Sequence, residues 1–203
     1  MKLYDSPFAP NPRRVRIFLA EKGIEIPKVF IDLAQSKHKE PAYEAVNPLR
    51  RIPALELDDG TILTESIAIC RYLEELHPDP PLFGTDPLSR AQIAMWQRRL
   101  EFGLLGTVGA AFRHSHPAMR EMERPQIPAW SEVNKERALD FLRFLDRHLA
   151  DRPFVCGQSF TVADITGLVA LDFMRPARIA LPDELSHVKR WHGALAARSS
   201  ASA

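Results

Sequence analysis

The hydrophobic pattern changes period near residue 78, and this constrains the fold more than any other feature. Up to Leu76, short strand-length apolar runs alternate with two amphipathic stretches. Beyond Asp86, every apolar pattern has helical spacing. Between them lies "HPDPPLFGTDP", rich in proline and turn residues. Such a segment ends a helix and continues no strand. The chain therefore divides into an α/β unit over 1–77, a linker over 78–88 and an all-helical unit over 89–203.

In the first unit, "KLYDS" predicts a strand ending at Pro7. Asn11 suits an N-cap and Pro12 a first helical turn. Val15, Phe18 and Leu19 form an apolar stripe, and Gly23 ends the helix. "KVFIDL" is a second strand, followed by a polar, irregular stretch over 35–46. "ALEL" and "TILT" flank Asp59-Gly60, a strong hairpin signal. From Glu65, "ESIAICRYLEELHP" places Ile69, Leu73 and Leu76 on one helical face.

In the second unit, Asp86-Pro87 opens a helix that carries Ile93, Trp96 and Leu100. Gly103, Gly106 and Gly109 follow on it or its extension. Each glycine costs a helix about 1 kcal/mol relative to alanine, so three imply a bend or a close backbone approach. A helix from about Ser131 to Leu149, a buried one at "TVADITGLVAL" and a last one at "DELSHVKRWHGAL" complete the series. Thr161 and Asp164 have capping-box spacing, with Asp in place of Glu.

Composition excludes some partners. Lys plus Arg number 27 against 26 Asp plus Glu, so net charge gives no support to nucleic acid or an anionic membrane. No apolar run approaches the roughly 18 residues of a membrane span, and "MKLYDSPF" has no signal-peptide character. Cys70 and Cys156 form no CxxC motif, which fits buried thiols in a reducing cytoplasm. His114 and His116 are joined by no Cys or carboxylate cluster, so no metal is expected.

"IP" before a hairpin, "ES" opening the next helix and "TVADI" opening a buried helix occur in an order that resembles the cytosolic glutathione transferases. The resemblance covers essentially the whole chain. It implies a thioredoxin-like N-terminal domain, a helical domain and a homodimer. It also implies glutathione as cosubstrate with no other cofactor, and a small apolar electrophile. Pro53 is implied to follow a cis bond, leaving the Ile52 backbone free to pair with a peptide-like ligand. Glu65 and Ser66 would take the ammonium and carboxylate of the γ-glutamyl end at a helix N-terminus; helix capping, with Thr64 as N-cap, is the alternative. Arg50, Arg51 and His38, with Lys39, are candidates for the glycyl carboxylate. Phe8, Ala9 and Phe112 would line the electrophile pocket.

The loop "SPFAPNPRRVRI" would meet the sulfur of glutathione. Ala9 falls where serine-type classes carry a hydroxyl, and the surviving Asn11 resembles the nu class. Asn11 and Ser6 are the candidates for thiol activation, though Asn11 also suits a cap. Arg13 and Arg14 stand at the positive end of a helix dipole. They could favour a thiolate there or pair with acids. The expected activity is thiolate attack on an electrophilic carbon, or disulfide or peroxide reduction; the alternative is a non-catalytic binding or regulatory module.

Overall fold

Four short strands form one sheet in the first part of the chain: β1 (Lys2–Asp5), β2 (Lys28–Phe30), β3 (Ala54–Glu56) and β4 (Ile62–Thr64), in the order β2-β1-β3-β4. β1 and β2 run parallel, joined through helix α1 (Pro10–Lys22), while β3 is antiparallel to both β1 and β4. The hairpin turns at Gly60, where φ is 85° and a side chain would be strained. Successive strand residues face opposite sides. Leu3 pairs with Leu55 on one side, and Tyr4 pairs with Ala54 on the other. Helices α1 and α3 (Ser66–Leu76) pack together, and Leu3, Val15, Phe18, Leu55, Ile69 and Leu73 are fully buried. The second cluster holds Tyr4, Tyr43, Ile52 and Ala54, with the two tyrosine rings edge-on at 5.7 Å.

Three local expectations are corrected. Helix α1 begins at Pro10 with Ala9 as N-cap, so Asn11 lies inside the first turn and caps nothing. Proline lacks only an N–H that the first turn leaves unused, so Pro10 opens the helix ahead of Asn11. The second strand keeps three of its six residues. The irregular stretch contains a 3-10 turn (Lys37–Lys39) and a short helix α2 (Pro41–Glu44), fastened by the buried His38 and Tyr43 rather than by any apolar repeat.

The computed structural model describes residues 1–203 and separates two compact units, Met1–Leu82 with Ser199–Ala203, and Phe83–Arg198. The last residues therefore belong with the sheet unit, not with the helical half to which the sequence assigns them. Their 3-10 turn lies on α1, where Arg13 donates to the Ala201 carbonyl at 2.9 Å and Ser200 to the Glu21 carboxylate.

In the helical unit, Asp86 caps α4 (Pro87–Leu100) by accepting from the N–H groups of Leu88 and Ser89. The helix widens into a π-turn over Glu101–Leu105 and continues as α5 (Gly106–Ser115). A Cβ at Gly103 would lie 2.5 Å from the Phe141 ring, so a close approach is present there, to a side chain rather than to backbone. α6 (Pro128–His148) directs Leu142 and Leu145 inward. Nearly every residue of α7 (Val162–Met174) is buried. α8 (Ser186–Ala196) supplies Val188, Trp191 and Leu195, with Leu185 just before it. The Asp164 carboxylate accepts from the backbone of Thr161 and Val155 and from the Trp191 indole at 2.9 Å. No helix is long and apolar enough to cross a membrane.

Candidate active site

The strand registers bring three separate segments to one end of the sheet. Tyr4 pairs with Ala54, and Ala54 pairs with Thr64. The C-terminal end of β1, the N-terminal end of β3 and the C-terminal end of β4 therefore lie side by side. The loop from Ser6 to Asn11, the Ile52–Pro53 turn and the start of α3 at Glu65–Ser66 all emerge there.

The loop is pinned from below. The Arg16 guanidinium pairs with Asp5 at 2.6 Å, and both side chains are only 8% exposed. The same guanidinium donates to the carbonyls of Ser6 and Pro7 at 3.3 and 2.9 Å. Above this clamp, Ser6 is buried, Phe8 projects fully into solvent and Ala9 is half-buried.

Asn11 carries the donors of the helix start. Pro10 and Pro12 have no N–H. The Ala9 N–H is spent on Ser6, and that of Arg13 on Ala9. The Asn11 N–H has no backbone partner, and its side-chain amide nitrogen donates to nothing. Its Oδ1 accepts from Arg14 Nη2 at 2.8 Å. Asn11 is exposed, whereas Arg14 is 4% exposed.

The Ile52–Pro53 bond is cis. The carbonyl of Arg51 is taken twice, by the Tyr43 hydroxyl at 2.6 Å and by the Asn47 amide at 2.8 Å. The backbone N–H and C=O of Ile52 take no partner, although its side chain is buried. Burial pushes the Tyr43 hydroxyl up to about 12, so it remains a proton donor to that carbonyl at any ordinary pH.

The N-cap of α3 is Glu65 itself, not Thr64, with φ at 65°. A non-glycine residue held there costs about 1–3 kcal/mol, and such strain clusters at functional sites. Its carboxylate is exposed and pairs with no cation. Ser66 beside it is buried in the first turn, where N–H groups have no partner within the helix.

The basic candidates separate. Arg50 is committed to Glu44 at 2.6 Å, which removes it from the free cations. Arg51 is exposed with no acid partner. His38 is 3% exposed, and its Nδ1 has no hydrogen-bond partner. Burial, and then the charges of Lys39, Arg51 and Arg50, hold its pKa below the usual value.

In the helical unit, Phe112 stacks on His116 at 4.5 Å and leans on Phe173 at 5.0 Å. Nδ1 of His114 accepts from the backbone of Ile127, and that of His116 from Ala118. No group of three or more His, Cys, Asp or Glu comes together to hold a metal. Cys70 is buried and Cys156 half-buried, and burial pushes both thiols up to about 12. Neither is a nucleophile at neutral pH. An open cleft of about 450 Å³, floored by Leu171, Met174 and Ile179, contains none of the residues singled out from the sequence.

The model of the glutathione S-transferase N-terminal domain matches residues 6–76, and that of the C-terminal domain matches 128–194. The chain belongs to the glutathione S-transferase family. It is 37% identical to glutathione S-transferase 2 of Saccharomyces cerevisiae, across 98% of this chain and 87% of that one. It is 31% identical to the glutathione S-transferase GstA of Escherichia coli O157:H7, across 98% and 94%. The crystal structure of a glutathione S-transferase domain-containing protein from Marinobacter aquaeolei VT8 superposes with a TM-score of 0.94 at 40% identity, covering 98% and 99%. That of Gtt2 from Saccharomyces cerevisiae gives 0.93 at 37%, covering 98% of each. Both halves of the transferase fold expected from the sequence, thioredoxin-like and all-helical, are present.

Sequence reasoning missed the Arg16–Asp5 clamp, the Arg14–Asn11 bond and the fastening of Arg51 by Tyr43 and Asn47. The one local sign of the first was a charged residue inside the otherwise apolar run Val15–Leu19.

Proposed function

We propose that this glutathione transferase binds glutathione across the shared end of the sheet and activates its thiol through Asn11. The peptide backbone of glutathione pairs with the free N–H and C=O of Ile52, as a strand pairs with a sheet edge. Pro53 keeps that edge open. The γ-glutamyl carboxylate lies on the N-terminus of α3 and the Ser66 hydroxyl, and its ammonium on Glu65. The glycyl carboxylate meets Arg51 and Lys39, with His38 behind them.

The observation that carries this reading is the pair of unpartnered donors on Asn11, at the one helix start whose neighbouring residues are prolines. A free thiol with a pKa near 8.5 is only a few per cent ionised at pH 7. Lowering it by about 2 units takes roughly 2.7 kcal/mol. A donor to a charged acceptor supplies about 1.5–3 kcal/mol, and a helix N-terminus about 0.3–1 more. The thiol proton leaves to solvent. The thiolate then forms the new bond to the electrophile while the leaving group departs with its electron pair. The protein supplies no covalent nucleophile, and glutathione is consumed as cosubstrate. Ser6 is the less favoured activator, because it is buried beneath the loop.

A homodimer is supported by Leu88, Met95 and Phe102. They stand seven apart along α4 and its continuation, exposed by 66%, 41% and 58%. Two unbridged cysteines support a cytoplasmic setting.

The test is ultraviolet titration of the bound thiolate. Asn11→Ala should raise the thiol pKa by about 1–2 units, with glutathione affinity at pH 6 nearly unchanged. A shift in Ser6→Ala and none in Asn11→Ala would transfer the role to Ser6.

A further inference from the structure

We propose that Arg14 is a positioning residue for thiol activation: it holds the Asn11 side chain so that the amide nitrogen, and not the amide oxygen, faces the ligand. The inference rests on the assignment of Asn11 as the activating side chain. An asparagine amide has two ends of nearly equal size and opposite character. Toward a sulfur that must become negative, the NH2 end attracts and the oxygen end repels. Rotation about the last side-chain torsion exchanges the two at little cost, because that torsion is broad and roughly two-fold. An exposed asparagine with nothing on either end would spend part of its time in the wrong orientation.

Arg14 removes that freedom. It lies three residues after Asn11, on the same face one turn along α1. Its Nη2 donates to Asn11 Oδ1 at 2.8 Å. The guanidinium has no acceptor atom, so the amide nitrogen cannot take that place. Turning the amide over would break a charge-assisted bond and set NH2 against a cation. Arg14 is itself 4% exposed, so its own rotamer is held by packing. A cation drawing on Oδ1 also polarises the amide and makes the opposite N–H a stronger donor. This accounts for an arginine at the positive end of a helix dipole, where charge alone would disfavour it. Arg13 has a separate use, on the Ala201 carbonyl.

The readout is the pKa of glutathione's thiol bound to the full-length protein, in Arg14→Met, Arg14→Lys, Asn11→Ala and the Asn11→Ala/Arg14→Met double variant. Arg14→Met should raise that pKa by about half a unit to one unit, and the kcat profile should move with it. The Michaelis constant for glutathione at pH 6 should stay within about twofold. Arg14→Lys keeps a positive charge but loses the planar fork, and it should raise the pKa by at least half as much. It also stands in should the methionine variant fail to fold. The double variant should titrate with Asn11→Ala alone, because Arg14 has nothing left to orient. Additive shifts in the double variant, or full function in Arg14→Lys, would mean that the charge acts directly on sulfur, and would overturn the positioning role. An unshifted Arg14→Met beside a shifted Asn11→Ala would overturn it too, leaving the Asn11 assignment standing. An unshifted Asn11→Ala would remove both.

Discussion

Asp5→Asn should destabilise the transferase far more than an ordinary surface change. Asp5 and Arg16 meet at 2.6 Å with side chains 8% exposed. The substitution keeps an amide oxygen to accept from Arg16, but it leaves the buried guanidinium charge facing only neutral acceptors, that oxygen and the Ser6 and Pro7 carbonyls. Removing one partner of a buried pair costs about 3–5 kcal/mol. That is a large part of the roughly 5–15 kcal/mol that keeps a domain folded. At about 2–4 °C per kcal/mol for a chain of this size, the melting temperature should fall by roughly 6–20 °C. A second variant separates pairing from packing. Asp5→Leu with Arg16→Met replaces both charges by apolar groups, and such replacements are often neutral or stabilising. It should melt near the parent, yet bind glutathione more weakly, because nothing then holds the Ser6 and Pro7 carbonyls beneath the loop. Thermal unfolding with calorimetric glutathione titration reads both quantities. An Asp5→Asn protein melting within about 2 °C of the parent would show that the pair is solvated. A double variant as unstable as the single one would show that its charges stabilise more than apolar groups of similar size.

Glu65→Ala should weaken glutathione binding at least tenfold, about 1.4 kcal/mol by calorimetry; unchanged affinity removes Glu65 from the site. His38 has a pKa held below its unfolded value of about 6.5 by burial and by Lys39, Arg51 and Arg50. The unfolded chain therefore binds more protons below that pH, so stability is intact above it and falls as pH drops through about 6.5. His38→Asn should flatten this acid limb in urea titrations at stepped pH. It should not abolish it, because His148 is held low chiefly by burial as well. Sedimentation should give a species of twice the 23.0 kDa chain mass. Charge at Met95 and Phe102, as glutamates, should halve it; a parent sedimenting as a single chain removes the homodimer.

Much of the fold was legible because its signals are local. Asp86-Pro87 is a cap followed by a first-turn residue, and Thr161 reaches Asp164 within one helical turn, so local signals alone located two helix starts. The Asp59-Gly60 turn and Gly23 mark conformations that few other residues adopt. The start of α1 was misplaced because Pro10, Asn11 and Pro12 each suit a first turn, and propensity does not rank them.

The sequence by itself determined an α/β unit followed by a helical one, and placed Ile52–Pro53, Glu65–Ser66 and Asn11 at turns and helix starts. Only the tertiary structure decided that these segments share one end of a sheet, because that follows from strand register between residues some fifty positions apart. It also decided which polar groups remain available. Tyr43 and Asn47 take the Arg51 carbonyl and leave Ile52 open, Glu44 removes Arg50, and Arg14 occupies one end of Asn11. The tail over 199–203 went to the sheet unit for a similar reason, since Arg13 and Glu21 hold it from nearly two hundred residues away. Periodicity reports which side chains share a face of one element. Hydrogen-bond partners drawn from other elements are settled only when those elements pack.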